Sequence, residues 1–231
     1  MHLGKTESII FGTKKRLSKV GEFNVKCGET VVKRANSVKY LGVQLDENLS
    51  GKNHALSVVK KVAARISFLY RNASLLDFNS RKILCSALVQ PYFECCCSSW
   101  YPSLTAEIKS KFDVLQRRMI RFIFDLKPRD HVDQFHLGKL AWLPFRDRVK
   151  FFRLCHVNKI LNNLSPFYLS DEFRLISSVH DQNTQASLHN FFIPVSHTQG
   201  RCLAAFSSLP NVIGMNFQMI TGDQKELAFE V

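Results

Sequence analysis

The sequence lacks the motifs of several large enzyme classes, and it lacks a long hydrophobic run. It contains no Gly-x-Ser-x-Gly, His-Glu-x-x-His or Gly-x-Gly-x-x-Gly motif, which excludes the hydrolase, zinc-protease and dinucleotide-binding sites that these motifs build. The longest apolar run, residues 83–101, is interrupted by Gln90, Pro91 and Glu94, so it is unsuited to a membrane span. We therefore expect a chain that contacts no membrane.

The cysteines lack the pattern of a disulfide framework or a zinc site. Their number is odd, their spacing does not repeat and no signal peptide precedes them, so we expect free thiols in an intracellular, reducing compartment, the cytoplasm or the nucleus. Three adjacent side chains cannot easily converge on one ion, so residues 95–97 predict buried thiols and no metal site. His131 and His136 are predicted to be loop histidines. The seven cysteines are Cys27, Cys85, Cys95, Cys96, Cys97, Cys155 and Cys202.

Acidic residues are few, and the resulting positive charge is unevenly placed. The chain of 231 residues has 32 Lys and Arg against 19 Asp and Glu, a net charge of +13. Residues 1–130 hold 23 basic and 11 acidic residues, whereas residues 131–231 hold 9 and 8. The basic half is the candidate surface for a polyanion, and nucleic acid is favoured because no basic helix has a fully apolar opposite face.

The first 50 residues have the sequence period of strands. Residues 8–11 form a short apolar run, and residues 23–27 alternate apolar with polar side chains before a Gly-Glu turn, which predicts a hairpin continuing to residue 32. Residues 36–46 are predicted to form one strand that is buried in a core. Gly42 within it indicates either a bend or a close approach of another backbone.

From Ser50 onward the apolar period changes to 3.6, which predicts four helices with Asn79 or Ser80 capping the second and Thr105 the third. The predicted fold class is α+β: a small antiparallel sheet or hairpin over residues 1–50, a mainly helical domain over 51–165, and an irregular, partly disordered region over 166–231. The predicted buried stripes are Leu56, Val59, Val62, Ala63, Ile66, Leu69 and Tyr70; Ile83, Leu84, Ala87, Leu88 and Tyr92; Ile108, Phe112, Leu115, Met119 and Phe122; and Phe145, Val149, Phe152, His156 and Ile160.

Several short motifs occur in a characteristic order along residues 2–210. They are Lys5-Thr6-Glu7, Tyr40-Leu41-Gly42-Val43, Leu88-Val89-Gln90-Pro91-Tyr92-Phe93 with Trp100, Leu140-Ala141-Trp142-Leu143-Pro144 with Arg148, and Tyr168-Leu169. Together they resemble the C-terminal part of the reverse transcriptases of non-LTR (LINE-type, jockey-like) retrotransposons. The resemblance implies the end of a palm subdomain, a primer-grip hairpin and a helical thumb. The paired-aspartate motif that precedes the first of these segments in that family is not in this sequence.

The resemblance and the charge together select the candidate site residues. Nucleic-acid contacts are predicted for Lys39, Tyr40 and Gly42 on the hairpin, for Lys61 and Arg65 on the first helix, and for Arg117, Arg118 and Arg121 on the third. By the resemblance, Lys5 corresponds to a palm lysine that protonates the departing pyrophosphate or lies near the incoming nucleotide. Its residue identity alone favours a solvated lysine. A solvated basic face, or ion pairs from the arginines to Asp113 and Asp125, would explain the same residues without binding.

These observations predict a truncated derivative of an RNA-directed DNA polymerase. It would bind an RNA or DNA primer-template through phosphate contacts, and it would be inactive alone because phosphoryl transfer needs carboxylates that hold Mg²⁺. We therefore expect no cofactor, with Mg²⁺ needed only by a full-length polymerase. Two alternatives are a basic helical protein-interaction module without a nucleic-acid role and an untranslated gene-model fragment.

Overall fold

The computed structural model describes residues 6–21 and 24–170 and has the predicted α+β class: short strands first, then a mostly helical region. Lys5 and nearly all of the region 166–231 lie outside the described residues. The strands are β1 (Glu7–Ser8), β2 (Val25–Cys27), β3 (Thr30–Arg34), β4 (Ser37–Tyr40) and β5 (Val43–Asp46). The helices are α1 (Lys14–Leu17), α2 (Lys52–Arg71), α3 (Phe78–Leu88), α4 (Gln90–Glu94), α5 (Cys97–Trp100), α6 (Ala106–Phe124), α7 (Gln134–Leu140), α8 (Phe145–Leu161) and α9 (Phe167–Ser170), and a 3-10 turn spans Ala73–Leu75.

The strands form two small sheets. The predicted hairpin is present as the antiparallel pair β2 and β3, and Gly28 supplies the positive φ of 63° that its turn requires. Of the apolar run over residues 8–11, which was predicted to be a strand, only Ser8 lies in one. The two-residue strand β1 pairs in parallel with β3. β4 and β5 form a separate antiparallel hairpin.

The stretch over residues 36–46 is two strands and a turn, so the prediction of one buried strand was wrong. Tyr40 pairs with Val43, and the chain reverses at Leu41 and Gly42, whose φ angles are 45° and 88°. Two successive positive φ angles characterise the type I′ turn, whose twist matches that of the flanking strands. Leu41 is 82% exposed, and no atom lies within 4 Å of the position of a Cβ on Gly42. Gly42 therefore marks a bend and not a close approach.

The two long helices α2 and α6 run in the same direction. The Ser103 hydroxyl donates to the Ser50 carbonyl at 3.2 Å beside their N-terminal ends, and the Tyr70 hydroxyl donates to the Arg118 carbonyl at 3.1 Å toward their C-terminal ends. Helices α3, α4 and α5 return the chain between these ends. α8 then packs against α5 and α6.

The core lies among these helices and is rich in aromatic rings. Phe112 stacks on Phe145 with centroids 5.3 Å apart, and Phe93, Trp100 and Tyr101 surround this pair in mostly edge-to-face contacts. Burial of each such ring stabilises the fold by about 1.5–3 kcal/mol relative to an exposed ring. Every member of the stripe predicted for α6 is buried, together with Ile120 and Ile123.

Three predicted stripes were partly wrong. In α3, Ile83 is 65% exposed, whereas Arg81 and Cys85 are buried, and the predicted Tyr92 lies in the separate helix α4. In α8 the predicted His156 is exposed, and the buried positions include Arg153 and Val157. In α2 the predicted Tyr70 is 40% exposed, and the stripe begins earlier than predicted, with His54, Ala55 and Val58 buried.

Local details differ from the predictions in the caps, the cysteines and the loops. Asp77 caps α3 by accepting from the Ser80 amide, in place of the predicted Asn79 or Ser80. Cys95 and Cys96 are exposed, so only Cys97 of the three adjacent thiols is buried as predicted. His136 lies in α7, where it forms a capping box with Asp133, and is no loop histidine. In the described part of the chain, no helix combines the length and the hydropathy that a membrane span needs.

Candidate nucleic-acid interface

All the charged side chains of α2 have one sign. The helix carries Lys52, Lys60, Lys61, Arg65 and Arg71 and no Asp or Glu. Arg65 is half-buried and the other four are exposed. A helix of 20 residues spans about 30 Å, so the cations extend along a length comparable to many phosphate spacings of a nucleic acid.

The start of α2 is held firmly against the core. Gly51 precedes the helix with a φ of 66°, and a Cβ there would lie 3.0 Å from the Trp100 carbonyl oxygen. Asp46 accepts hydrogen bonds from both the amide and the hydroxyl of Ser50, which orders the segment between β5 and α2. The basic helix is thereby set in a defined position relative to the β4–β5 hairpin.

His54 joins that hairpin to α2. The Gln44 amide of β5 donates to His54 Nδ1 at 3.2 Å, and the imidazole packs edge-on against Trp100 with centroids 5.2 Å apart. Burial, with a smaller effect of Lys61, lowers the pKa of His54 from 6.5, so the ring is neutral and Nδ1 can accept. His54 is therefore buried, unlike the exposed cations of the same helix.

The three hairpin residues of the candidate site lie together at the exposed end. Lys39 and Tyr40 close β4, Gly42 forms the turn, and all three are exposed, Tyr40 to 63%. Because successive residues of a strand point to opposite faces, Lys39 presents a cation on one face of the hairpin end and Tyr40 presents a phenol ring on the other. The hairpin therefore presents the groups that were predicted for it.

Lys61 and Arg65 line a groove of about 450 Å³ between α2, α3 and α4. The Arg65 guanidinium lies over the Tyr92 ring, 4.5 Å from its centroid, and Nη2 donates to the Tyr92 hydroxyl at 2.5 Å. Phe68, one turn further along α2, is 53% exposed. The remaining lining comes from Ala64 and Leu88. The groove thus combines two cations with two aromatic rings.

The arginines of α6 lie near the C-terminal part of α2. Arg117 is exposed, and Arg118 and Arg121 are half-buried. Burial raises the pKa of Tyr70, and the positive charges of Arg118 and Arg121 reduce that rise. Arg121 Nε also donates to the Asp130 carbonyl at 3.1 Å. This hydrogen bond uses one of the five N–H donors of the Arg121 guanidinium, so other donors can bind a phosphate.

The acidic residues that could have neutralised these arginines have other partners. Asp113 lies 3.8 Å from Arg146, and Asp125 lies 2.8 Å from Arg81. Among the described residues, Asp113 and Asp125 therefore pair with arginines outside the cluster and not with Arg117, Arg118 or Arg121, as the alternative explanation had predicted.

The predicted site residues occupy two flanks of α2. At ~100° per residue, Tyr70 lies ~140° around the helix from Arg65 and ~180° from Lys61. Because Tyr70 contacts Arg118, the arginine cluster lies on the flank opposite the groove. One straight duplex backbone cannot pass along both flanks, so the structure separates residues that the sequence analysis had grouped.

Phe68 and Arg71 are exposed residues on the groove side of α2 that the sequence analysis missed, and Lys60 is a further exposed cation of the same helix. The absence of acidic residues from the whole helix is the signal that would have found the two cations. Phe68 carries no comparable signal, because an aromatic residue at helical spacing is usually assigned to the core.

The fold and this surface define a basic α+β protein with a helical bundle. No group of three or more His, Cys, Asp or Glu among the described residues is arranged to hold a metal ion. A comparison with family models, curated proteins and solved structures finds no match to this chain. The reverse-transcriptase resemblance therefore stays a prediction from the sequence.

Proposed function

We propose that this protein binds nucleic acid through phosphate contacts, as a truncated derivative of a retrotransposon reverse transcriptase that does not polymerise by itself. The observation that carries the proposal is α2, a helix that has five cations, four of them exposed, and no side-chain carboxylate. Each cation that meets a phosphate releases condensed counterions, which is the main source of such affinity.

The β4–β5 hairpin supports the same assignment. His54 and the ordered Asp46–Ser50 contact hold the hairpin at the start of the basic helix, so Lys39 and Tyr40 keep a defined place relative to it. A primer grip needs a rigid hairpin that presents such groups without covalent chemistry. These contacts position a strand and read no bases, so little sequence preference is expected.

The test is a salt titration of binding with a labelled RNA-DNA primer-template, followed by fluorescence anisotropy. Replacing Lys60 and Lys61 with alanine should weaken binding and flatten the slope of log affinity against log salt by up to about 1.8. The control removes the same charge from α8 through Lys150→Ala and Lys159→Ala, two exposed lysines of another helix.

The control variant should keep the slope of the parent. Equal losses in both variants would mean that net charge alone attracts the nucleic acid. A parent protein that binds no primer-template at any salt concentration would refute the proposal and favour the protein-interaction alternative.

A further inference from the structure

We infer that the groove lined by Lys61, Ala64, Arg65, Phe68, Leu88 and Tyr92 is a stacking site for an unpaired base of a single-stranded nucleic acid. The inference rests on the proposed function and adds a preference that phosphate contacts alone would not create.

The aromatic content of the groove is the first observation. Phe68 is 53% exposed, and its ring has an Arg71 guanidinium 5.8 Å from its centroid. The neighbouring aromatic, Tyr92, is already covered by Arg65. Exposed aromatic rings beside cations form the platforms on which successive bases stack, since every base has a π face. Phe68 is therefore the residue that we expect to stack.

The size and the shape of the groove are the second observation. Its volume of about 450 Å³ lies within the range of small-molecule sites, and its walls are mainly apolar, from Ala64, Leu88 and the two rings. A water-filled apolar groove gains from admitting a flat, weakly polar ring. A base that remains paired inside a duplex has both faces covered and cannot enter.

The charge around the groove is the third observation, and it selects a polyanion over other aromatic partners. Lys61 and Arg65 line the groove, the Arg71 guanidinium lies over the Phe68 ring, and α2 has no acidic residue. The planar Arg65 guanidinium, held against Tyr92, offers a second surface for stacking and further donors for a phosphate. A base and its own phosphate can thus be bound together.

The experiment compares two labelled probes, a short oligo(dT) and a blunt RNA-DNA hybrid of mixed sequence, on the full chain. Phe68→Ala should weaken oligo(dT) binding by about 5- to 150-fold and leave its salt slope unchanged, because a ring releases no counterions. Binding of the blunt hybrid should not change. The matched control is Phe135→Ala, which removes a 69% exposed ring from α7 and should affect neither probe.

Two further variants separate stacking from folding. Phe68→Leu keeps apolar volume without a π face and should lose as much oligo(dT) affinity as Phe68→Ala. Phe68→Trp should bind at least as well as the parent. Helical content by circular dichroism is compared for every variant.

The outcomes distinguish this inference from the proposed function. If the parent binds neither probe, the proposed function itself fails. If the parent binds both and folded Phe68→Leu keeps its oligo(dT) affinity, the stacking site is refuted and phosphate binding stands. Equal weakening of both probes would also refute it, because the ring would then act on the protein and not on an unpaired base.

Discussion

Arg81 is a buried cation that joins the segment before α3 to the C-terminal end of α6. Its side chain is 8% exposed, and its donors reach the carbonyls of Ala73 at 2.9 Å, Leu76 at 3.0 Å and Phe122 at 3.2 Å. Carbonyls at the ends of helices have no partner within the helix, and their dipoles favour a positive charge. Arg81 also forms an ion pair of 2.8 Å with Asp125.

Replacing Arg81 with methionine should lower the free energy of unfolding by about 3–5 kcal/mol. Methionine keeps the apolar stem over the Phe122 ring but leaves the carbonyls of Leu76 and Phe122 without a partner, at about 1–3 kcal/mol for each group that water cannot reach. The Ala73 carbonyl still accepts from the Leu76 amide at 3.1 Å. Relaxation of the chain reduces the sum. The ion pair adds little, because Asp125 is 80% exposed, so Asp125→Asn should cost less than about 1 kcal/mol.

Urea unfolding followed by circular dichroism measures both variants, with the midpoint compared at equal slope. Asp125→Asn is a matched control because asparagine also accepts the positive φ of 57° at this helix end. An Arg81→Met variant within about 1 kcal/mol of the parent would refute the role of the carbonyl bonds. If Asp125→Asn lowered the free energy of unfolding as much as Arg81→Met, the ion pair and not the carbonyl hydrogen bonds would account for the stabilisation by Arg81.

Two further predictions concern the β4–β5 hairpin. The lowered pKa of His54 means that folding favours the neutral ring, so the contribution of this ring to stability is complete above pH 6.5 and is lost as the pH falls through the lowered value. Between about pH 7.5 and pH 5, the urea midpoint of the His54→Gln variant should therefore fall less steeply than that of the parent. Parallel curves of urea midpoint against pH would contradict this. Leu41→Asn should stabilise the protein by about 1 kcal/mol, because asparagine suits the first central position of a type I′ turn. The control Leu75→Asn changes an equally exposed leucine of ordinary φ and should not raise the temperature of thermal unfolding.

Local sequence patterns were sufficient to predict an element when that element contacts the rest of the fold mainly through one continuous face. The α6 stripe at steps of three and four residues and the β2–β3 hairpin with its Gly28 turn were predicted correctly, because periodicity and turn chemistry act within a few residues. The order of sheet before helices and the basic character of the first half follow from composition and position along the chain. No comparable pattern marks the Leu41-Gly42 turn, since leucine rarely adopts a positive φ.

Only the tertiary structure decided which faces meet and therefore which charges lie together. Arg81 is buried because the end of α6 brings carbonyls to it from 41 residues away, a contact that no local period contains. Tyr70 and Arg118 place the arginine cluster on one flank of α2, while Tyr92 and Leu88 form the groove on the other. Periodicity states that a side chain lies on a given side of its own helix; the packing of other helices decides whether that side becomes core, groove or open surface.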